Sequence, residues 1–581
     1  MLDQRMTARQ TAGHAAMQGL LNCFVREAGE GAAIPCGGGG ERALLVPLNR
    51  LGMEVLAPLR YLSPTGRHLF GSPITAGPAG DPRRAELDHP TLAALLVREL
   101  SLERGGAPEE LLLRILESRR NVERFLEARL GSGESTEEGF IAAEQSLVFG
   151  HQLHPAPKSR RGFTGEELAA YSPEMGASFP LHYFRAHSSV ISEGSALPQT
   201  AAELIREELR RDPAAPEAPD GDGHALVPAH PWQAGMLLRR PEVRRLIGEG
   251  LLEHLGPVGS PYRPTSSVRT VYRPGARFML KLSLGVGITN SVRNNLRKEL
   301  RRGIKMCRVL ESRVGQELER RFPGFRILRD PAHITVETGS GEESGFEVVL
   351  RENPFRGGED AAPLVALCQD GIGEEGSLLA RIVGRLAREE GRQVAEVSRE
   401  WFRRYLEISL RPILWLYHTH GIAPEAHQQN SVLVLEGGYP ARFYYRDNQG
   451  YYFRRSAREH LERLVPGVHG IEDDTVVDDA VADERLRYYF FINNLFGLVN
   501  AFGCAGLADE RDLLCDLRRV LEEVEPGSRS SELVPSLLHL RKLPAKANLL
   551  TRLHDMDELL GDLETQSVYV EVDNPLAEVR P

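Results

Sequence analysis

The sequence is poor in cysteine, and the few cysteines it has are far apart. Six occur in 581 residues, and no two of them form a CxxC pair. This spacing argues against a disulfide framework and against a zinc site built from cysteines. We therefore expect a protein of a reducing compartment.

The sequence also lacks a long uninterrupted hydrophobic run. Its most apolar stretch, residues 488–507, is broken by Asn493, Asn494 and Asn500, which predicts a buried helix rather than a membrane span. The N-terminal residues 3–5 are polar, so no signal peptide is expected. A net charge of −10 argues against general binding to nucleic acid or to a membrane surface. We predict a cytoplasmic protein with neither partner.

The phosphate-loop sequence GxxxxGK[ST] is missing too, so a nucleotide site of that kind is excluded. The chain is too long for one hydrophobic core, and two to four domains are expected. Residues up to about 145 predict helices with a strand hairpin over 43–56, and a β-rich zone follows. After residue 360 the pattern becomes mostly helical, including a helix over 397–410.

A polar cluster surrounds a predicted hairpin in residues 425–450. The apolar run 432–435 and the aromatic run 443–445, separated by a Glu-Gly-Gly turn, predict two paired strands. Their pairing brings Asn430 toward Asp447, at the open end of the hairpin.

Glu425, Asn430 and Asp447 would present hard oxygen ligands at that end. Such ligands suit Mg²⁺ held against phosphates, and protein kinases use an Asn and an Asp in this way. The alternative interpretation is a polar hairpin whose acids and amides only cap turns. Phosphate-binding cations elsewhere in the chain would favour the nucleotide site.

Such cations occur in residues 266–295, which predict a second hairpin. Each strand alternates an apolar face with a face that carries a cation. If Tyr272 pairs with Phe278, Arg269 lies opposite Lys281. Like charges at directly opposed positions are unfavourable, unless an anion binds between them. Two surface cations on an exposed hairpin are the alternative.

A glycine-containing turn at 285–287 is predicted to end the second strand, and Thr289 or Asn290 to cap a new helix. Arg293 would lie in the first turn of that helix, where free backbone N–H groups attract anions. Like charges four residues apart on a helix are unfavourable, so they need acidic partners or a ligand. Four cations share this spacing: Arg293, Arg297, Arg301 and Lys305.

Several motifs in this order resemble the siderophore synthetases that act independently of nonribosomal peptide synthetases, of the aerobactin-synthetase type. Gln152 departs from the proline that is common in this family. The motifs cover nearly the whole chain and are LLNCFVRE (20–27), GHQLHPAPKSRRGF (150–163), PAHPWQ (228–233), SSVRTVY (266–272), KLSLGVGITNSVRN (281–294), EAHQQNSVLVL (425–435), RDNQG (446–450) and LPAKANLLTRL (543–553).

The resemblance implies an α+β fold shaped like a cupped hand. Residues 1–145 would form an N-terminal thumb. Residues 146–360 would form fingers with a mainly antiparallel sheet and the ATP-phosphate hairpin. Residues 361–581 would form a mostly helical palm, whose kinase-like hairpin carries the Mg-nucleotide and citrate site.

The resemblance also assigns roles to individual residues. The implied ATP-binding residues are Ser267, Arg269, Lys281, Thr289, Asn290, Asn430 and Asp447. The implied substrate-binding residues are His154, Lys158, Thr289, Arg293 and His427. The implied Mg²⁺ ligands are Glu425, Asn430 and Asp447. The implied catalytic residues are Lys281, Arg293 and His427.

The implied reaction is ATP-dependent adenylation of citrate, followed by amide formation with an amine and release of AMP and pyrophosphate. ATP and Mg²⁺ are the expected cofactors, and a homodimer is expected. The alternatives are a small-molecule kinase with the same Mg-ATP site, a synthetase acting on a citrate monoamide, and a binding protein without turnover. The sequence leaves open the amine, the siderophore and the general base.

Overall fold

A computed structural model describes residues 7–29, 31–36, 40–132, 139–216, 223–339, 341, 343–373, 376–469, 475–524, 531–556 and 567–580. The Pro/Asp/Gly-rich stretch 213–223, whose composition predicts a solvated loop, lies largely outside these residues. In the described part of the chain, no helix is long and apolar enough to span a bilayer.

Helices occur along the whole chain and are densest after residue 360. They are α1 (Ala8–Ala28), α2 (His89–Arg104), α3 (Pro108–Ser132), α4 (Phe140–Gln145), α5 (Gly165–Tyr171), α6 (Ala201–Arg210), α7 (Pro231–Leu237), α8 (Pro241–Gly248), α9 (Arg297–Glu311), α10 (Arg313–Arg321), α11 (Leu364–Cys368), α12 (Leu378–Glu390), α13 (Val394–Trp415), α14 (Arg458–Leu464), α15 (Asp479–Leu486), α16 (Phe496–Cys504), α17 (Glu510–Glu522), α18 (Leu533–His539) and α19 (Asn548–Leu553).

Strands form several separate sheets. They are β1 (Ala32–Pro35), β2 (Arg42–Leu48), β3 (Met53–Tyr61), β4 (Leu69–Phe70), β5 (Thr75–Pro78), β6 (Ala85–Glu86), β7 (Arg160–Arg161), β8 (Phe179–His187), β9 (Ile191–Ser195), β10 (His224–Ala229), β11 (Leu252–Pro264), β12 (Thr270–Tyr272), β13 (Phe278–Leu282), β14 (Leu284–Ile288), β15 (Ser291–Arg293), β16 (Phe325–Ile327), β17 (Ala332–Val336), β18 (Val348–Glu352), β19 (Ala361–Pro363), β20 (Ile422–Pro424), β21 (Ser431–Glu436), β22 (Tyr439–Tyr445), β23 (Tyr451–Arg454), β24 (Val476–Val477), β25 (Lys542–Lys546) and β26 (Tyr569–Asp573).

The N-terminal region packs α1, α2 and α3 against a sheet of order β1-β2-β3-β5-β6, in which β4 also pairs with β3. The predicted hairpin over 43–56 is confirmed as β2 and β3. Helix α19, from near the C-terminus, contributes Leu549, Leu550 and Leu553 to the same core. A helix from near the C-terminus therefore helps to stabilise the N-terminal core.

The largest sheet in the described residues has the order β10-β8-β11-β12-β13-β18-β17-β9, and its neighbouring strands are antiparallel. Phe278, Leu280 and Leu282 of β13 lie on one face and pack in a core with α6, α7 and α8. The opposite face of β13 carries Met279 and Lys281 toward the C-terminal region. The alternation predicted for β13 is thus confirmed.

The C-terminal region is mainly helical and has a core around α13. Trp401, Tyr405 and Leu410 are fully buried there, and the helix continues through Pro412 to Trp415. The apolar stretch 488–507 forms a buried π-helical segment followed by α16, as predicted. A sheet of order β16-β22-β21-β19 packs on this core and carries the hairpin of β21 and β22.

Candidate active site

A deep cleft brings together distant parts of the chain, with about 2360 Å³ of empty volume. Its walls come from residues 147–160, 265–302, 425–452 and 488–493, with Lys546 from the end of β25 and Asn548 from the start of α19. All twelve site residues predicted from the sequence line this cleft: His154, Lys158, Ser267, Arg269, Lys281, Thr289, Asn290, Arg293, Glu425, His427, Asn430 and Asp447.

The hairpin half of the cleft has the predicted geometry. Ser431 pairs with Tyr445 across β21 and β22, and the Arg446 N–H donates to the Asn430 carbonyl at 2.9 Å. Asn430 and Asp447 therefore lie side by side at the open end of the hairpin. The side-chain amide of Asn430 donates to the backbone carbonyl of Glu425 at 3.3 Å, which holds residue 425 at the same end of the hairpin.

Lys281 joins the two halves of the cleft. Its ammonium donates to Asp447 Oδ1 at 2.6 Å and to Gln449 Oε1, and its side chain is 3% exposed. Burial lowers the pKa of Lys281 to about 8, although the Asp447 charge raises it. Asp447 is partly buried, and the charges of Lys281 and Arg351 hold the pKa of its carboxyl well below the usual range.

Arg351 contacts Asp447 and helps to fix the orientation of its carboxylate. Its guanidinium donates to both oxygens of buried Asp330, at 2.7 and 2.8 Å, and to Asp447 Oδ1 at 3.2 Å. The pair with Asp330 is bidentate, which fixes the plane of the guanidinium. The sequence does not indicate Arg351, because nothing in the alternation of β18 distinguishes it from a surface arginine.

The predicted register of the cationic hairpin is wrong by one residue. Thr270, not Arg269, lies opposite Lys281, and Val271 pairs with Leu280. The reason is a turn that precedes β12: the Val268 N–H donates to the Thr265 carbonyl at 2.8 Å, so the strand begins only at Thr270.

Arg269 reaches the cleft from this turn instead. Its guanidinium donates to the carbonyls of Arg293 and Asn294 and to Asn295 Oδ1, at 3.0 to 3.1 Å. Arg269 and Lys281 therefore have separate protein acceptors, and no bound anion is needed to explain their proximity. Ser267 supports the same turn by accepting the Thr270 N–H at 3.1 Å.

The helix predicted to begin at Thr289 or Asn290 begins later, at Arg297. Residues 291–293 pair with β14 as β15, and Gly285 and Gly287 lie inside β14 rather than ending it. Helix α9 begins where the Glu299 carboxylate accepts the Leu296 N–H at 2.9 Å. Sequence periodicity missed this because a tight hairpin with the preceding strand β14 competes with the local helical pattern.

The predicted ladder of four cations is consequently split. Arg293 is on a strand and donates to Thr289 Oγ1 at 2.6 Å and to the Ile288 carbonyl at 3.0 Å. Arg297 faces away from the cleft and pairs with Glu337 at 2.7 Å. Helix α9 presents Lys298 and Arg302 to the cleft instead, and Arg302 donates to the Gln449 carbonyl at 2.7 Å.

A chain of polar side chains closes the far wall. His154 Nδ1 accepts the Ala156 N–H, so Nε2 carries the proton and donates to Asn290 Oδ1 at 3.0 Å. Asn290 in turn donates to Asn548 Oδ1 at 3.1 Å. Burial lowers the pKa of His154 to about 3, so the ring is neutral at physiological pH.

Lys158 lies in the wall with its ammonium turned to the protein. It donates to the Leu147 carbonyl and to Glu174 Oε1, which also accepts from Arg160 at 2.9 Å. Burial lowers the pKa of Lys158 to about 8, opposed by the Glu174 charge. A contact between Lys158 and substrate stays a prediction, whereas its contact with Glu174 holds residues 147–160 in place.

Glu425 and His427 differ in basicity although they are two residues apart. Burial raises the pKa of Glu425, whose Oε1 accepts the Tyr452 hydroxyl at 2.9 Å. Burial lowers the pKa of His427 to about 3, and its ring lies 5.8 Å from that of Tyr489. Neutral His427 can accept or donate one hydrogen bond toward the cleft.

Backbone strain is concentrated at the cleft. Four non-glycine residues of the described chain have positive φ, and three of them belong to the site: Val268 at 68°, Thr289 at 54° and Asp447 at 85°. Such conformations cost of order 1–3 kcal/mol each, most for β-branched residues, and cluster at ligand sites. The surrounding contacts of these three residues hold the site in a preorganised shape.

Two family models match consecutive parts of the chain. The IucA / IucC family model matches residues 139–369, which include the cationic half of the cleft. A model described as a ferric iron reductase FhuF-like transporter matches residues 399–561, which include the hairpin half.

Relatives match the chain over almost its full length. It is 43% identical to a spermidine-citrate ligase of Bacillus anthracis, covering 98% of each chain. It is 40% identical to the rhizobactin siderophore biosynthesis protein RhbC of Rhizobium meliloti, covering 97% of each. It is 30% identical to an N(2)-citryl-N(6)-acetyl-N(6)-hydroxylysine synthase of Escherichia coli, covering 98% of this chain and 99% of the other.

Solved structures show the same fold over almost the whole chain. The ATP-bound aerobactin synthetase IucA of Klebsiella pneumoniae superposes with a TM-score of 0.86 at 28% identity, over 97% of this chain and 99% of that one. The petrobactin biosynthesis protein AsbB of Bacillus anthracis shares the fold, with a TM-score of 0.78 at 18% identity. The chain belongs to the IucA / IucC family of siderophore synthetases.

Proposed function

We propose that the protein is an ATP-dependent synthetase that adenylates a carboxylate of citrate and condenses it with an amine. The observation that carries this proposal is the single cleft in which Lys281, Arg269 and Arg293 face the Asn430 and Asp447 hairpin. The names of the relatives support citrate as the acid, and the IucA complex supports ATP as the energy source.

The donor set of the hairpin fits Mg²⁺. Asp447 keeps a charged carboxylate at neutral pH, and Asn430 uses its amide N–H on the protein, which leaves its carbonyl oxygen for a ligand. Oxygen donors with room for phosphate oxygens are what Mg²⁺ requires. With Glu425 these residues would hold the ion, and bound Mg²⁺ would neutralise charge on the ATP phosphates.

The cations of the cleft would stabilise the first chemical step. A carboxylate oxygen of citrate attacks the α-phosphorus of ATP, and the bond to pyrophosphate breaks. Negative charge builds on the phosphoryl oxygens, and Lys281, Arg269 and Ser267 would bind those oxygens from the fingers side. Fixed charges in a largely buried site do this without reorganisation.

The second step needs no nucleophile from the protein. A neutral amine attacks the activated carbonyl carbon, AMP leaves, and the amine gives up one proton. Arg293, Thr289 and Asn290 would hold the remaining citrate carboxylates during this step. Burial lowers the pKa of His427 to about 3, which makes it a weak base, and Glu425 is assigned to Mg²⁺ here, so the proton is given up to solvent.

The test is pyrophosphate release from ATP and Mg²⁺ with citrate, with hydroxylamine as a trap for the activated carboxyl. Succinate and α-ketoglutarate serve as comparison acids. Citrate-dependent pyrophosphate and a citryl hydroxamate would support the proposal. Formation of ADP instead would replace it with the kinase alternative, since Asn430 and Asp447 also suit γ-phosphoryl transfer.

Amines are then screened for consumption of the adenylate. Spermidine and 2,3-diaminopropanoate are the first candidates, because ligases for both occur among the relatives. A citrate monoamide tested in place of citrate distinguishes the two classes of acid. Absence of any product with all acids, together with tight ATP binding, would favour a binding protein.

The finer architecture belongs to the same proposal. We assign the thumb to residues 1–145, the fingers to 146–360 and the palm to 361–581. The domains would close on the cleft, with α19 of the palm region packed in the core of the thumb. A cytoplasmic homodimer completes the proposal, and light scattering on the purified protein measures the oligomeric state.

A further inference from the structure

A second cavity lies where the ends of β13 and β18 meet β16 and β22, and it is rich in arginine. It has about 1200 Å³ of empty volume. Four guanidinium groups and two carboxylates, those of Glu319 and Glu352, line it. The arginines are Arg277, Arg326, Arg329 and Arg356. None of these residues belongs to the cleft described above.

Two of these arginines have no carboxylate partner within 4 Å among the described residues. Arg326 donates to the Phe325 carbonyl at 2.9 Å, and Arg356 donates to the Asn353 carbonyl at 2.9 Å. Arg277 reaches Glu207 only at 4.0 Å. Arg329 alone is closely paired, with Glu352 at 2.7 Å. The cavity therefore holds more positive charge than its own acids neutralise.

Strand pairing assembles this arrangement from separate segments. Phe278 pairs with Glu352 across β13 and β18, which sets Arg277 beside Asn353 and Arg356. Arg326 pairs in parallel with Tyr444 of β22, and both side chains line the cavity. Buried apolar residues form the floor: Phe278, Leu318 and Phe325.

We propose that this cavity is a binding site for a small multivalent anion with carboxylate or phosphate groups. Planar guanidinium groups bind such groups through paired, charge-assisted hydrogen bonds. Two or more charged groups on one ligand would engage Arg326, Arg356 and Arg277 together. This inference goes beyond the proposed function, since binding is measurable whether or not the protein turns over ATP.

The site is positioned to influence the cleft. Adjacent residues of β18 point in opposite directions: Glu352 pairs with Arg329 in the cavity, and Arg351 pairs with Asp330 and Asp447 toward the cleft. An anion in the cavity would compete with Glu352 for Arg329. The end of β18 would then hold Asp447 less firmly, which would weaken ATP binding.

The test is equilibrium dialysis of labelled citrate and of labelled inorganic phosphate against the full-length protein. The variant R326Q/R356Q removes two guanidiniums of the cavity, and R293Q removes one of the cleft. The matched control is R388Q, because Arg388 on α12 is exposed and its hydrogen-bond acceptor is also a backbone carbonyl, that of Gly384.

The wild type is expected to bind one equivalent of probe more than R326Q/R356Q, with affinity at that site falling about tenfold or more in the variant. R293Q and R388Q are expected to keep this equivalent. Preference for citrate or for phosphate identifies the chemistry of the ligand. Equal binding by wild type and R326Q/R356Q, or equal loss in R388Q, would overturn the proposal.

Hydrogen exchange in the wild type provides a test that no variant can confound by misfolding. Amides of residues 325–329 and 352–354 are expected to exchange more slowly with the probe present, and unchanged exchange at saturating probe would overturn the site. Loss of citrate adenylation activity in every preparation would overturn the proposed function and leave this binding result intact. A KM for ATP that the probe leaves unchanged would overturn the coupling.

Discussion

The two halves of the cleft differ in how they are built. Residues 425–450 form a hairpin with a glycine turn, in which each strand pairs with its sequence neighbour. Residues 266–295 form two irregular hairpins, β12 with β13 and β14 with β15, whose strands also pair with β11, β18 and β7, and they contain two positive-φ residues, Val268 and Thr289. The regular hairpin made the first half predictable, while in the second half the turn before β12 shifted the register by one residue and the β14–β15 hairpin replaced the predicted start of a helix.

The largest expected effect comes from the contact that joins the halves. Lys281→Ala should lower kcat/KM for citrate-dependent pyrophosphate release by about 10²–10³-fold, because it removes a buried cation aimed at the phosphates. Steady-state assays measure this. The exposed Lys542→Ala is the control, and a loss of less than tenfold in Lys281→Ala would place the phosphates elsewhere in the cleft.

Arg351→Gln should weaken the support that Arg351 gives to the hairpin half. It leaves Asp330, which is 1% exposed, without its cationic partner, and breaking such a buried pair costs about 3–5 kcal/mol. Denaturant unfolding measures the change. Because Arg351 is a positioning residue, the KM for ATP should rise more than kcat falls, and Arg351→Lys should restore part of both. An unchanged KM would indicate a purely structural role.

Arg293→Gln tests the corrected fold of the cationic half. On a strand beside Thr289, Arg293 is expected to contact a citrate carboxylate, so its loss should raise the KM for citrate by about tenfold through a lost charge-assisted hydrogen bond. Initial rates at varied citrate measure this. A rise confined to the KM for ATP would reassign Arg293 to the phosphates.

The activity should fall at alkaline pH. The pKa of Lys281 is lowered from its ordinary value of 10.5 to about 8, so the ammonium is present well below pH 8 and is lost as pH rises through 8. The kcat/KM for ATP, which reports the free protein, should therefore fall toward tenfold per pH unit above 8. Lys281→Arg keeps its charge at this pH and should remove the fall. A wild-type kcat/KM for ATP that stays constant up to pH 10 would contradict this role of the Lys281 ammonium.

The smallest effect is expected at Arg297. Its pair with Glu337 is partly exposed, with side chains 30% and 38% accessible, so Arg297→Gln should change stability by less than about 1 kcal/mol. Turnover should change by less than twofold, because Arg297 faces away from the cleft. A large loss of activity would support the predicted row of four cations on one helix. It would contradict the placement of Arg293 in the cleft and Arg297 outside it.

The positions of site residues were more predictable than their contacts. All twelve named residues line one cleft, yet the sequence showed neither the partner of Lys158 nor the role of Arg351. Glu174 and Asp330 are 16 and 21 residues from their partners and follow no periodic pattern. A charge pattern shows that a cation is present, but only folding shows which acceptor it meets.

By itself, the sequence determined the alternation of β13, the hairpin of β21 and β22, the buried helix after residue 487 and twelve residues that line the cleft. Those features depend on short-range periodicity, turn residues and side-chain type. The tertiary structure alone decided the register of β12 against β13, the late start of α9, the packing of α19 in the N-terminal core and the arginine-rich cavity. The packing of α19 and the arginine-rich cavity depend on contacts between distant segments, whereas the register of β12 and the start of α9 depend on the geometry of one turn and one hairpin. The physical reason is that no local residue pattern records the free energy of either.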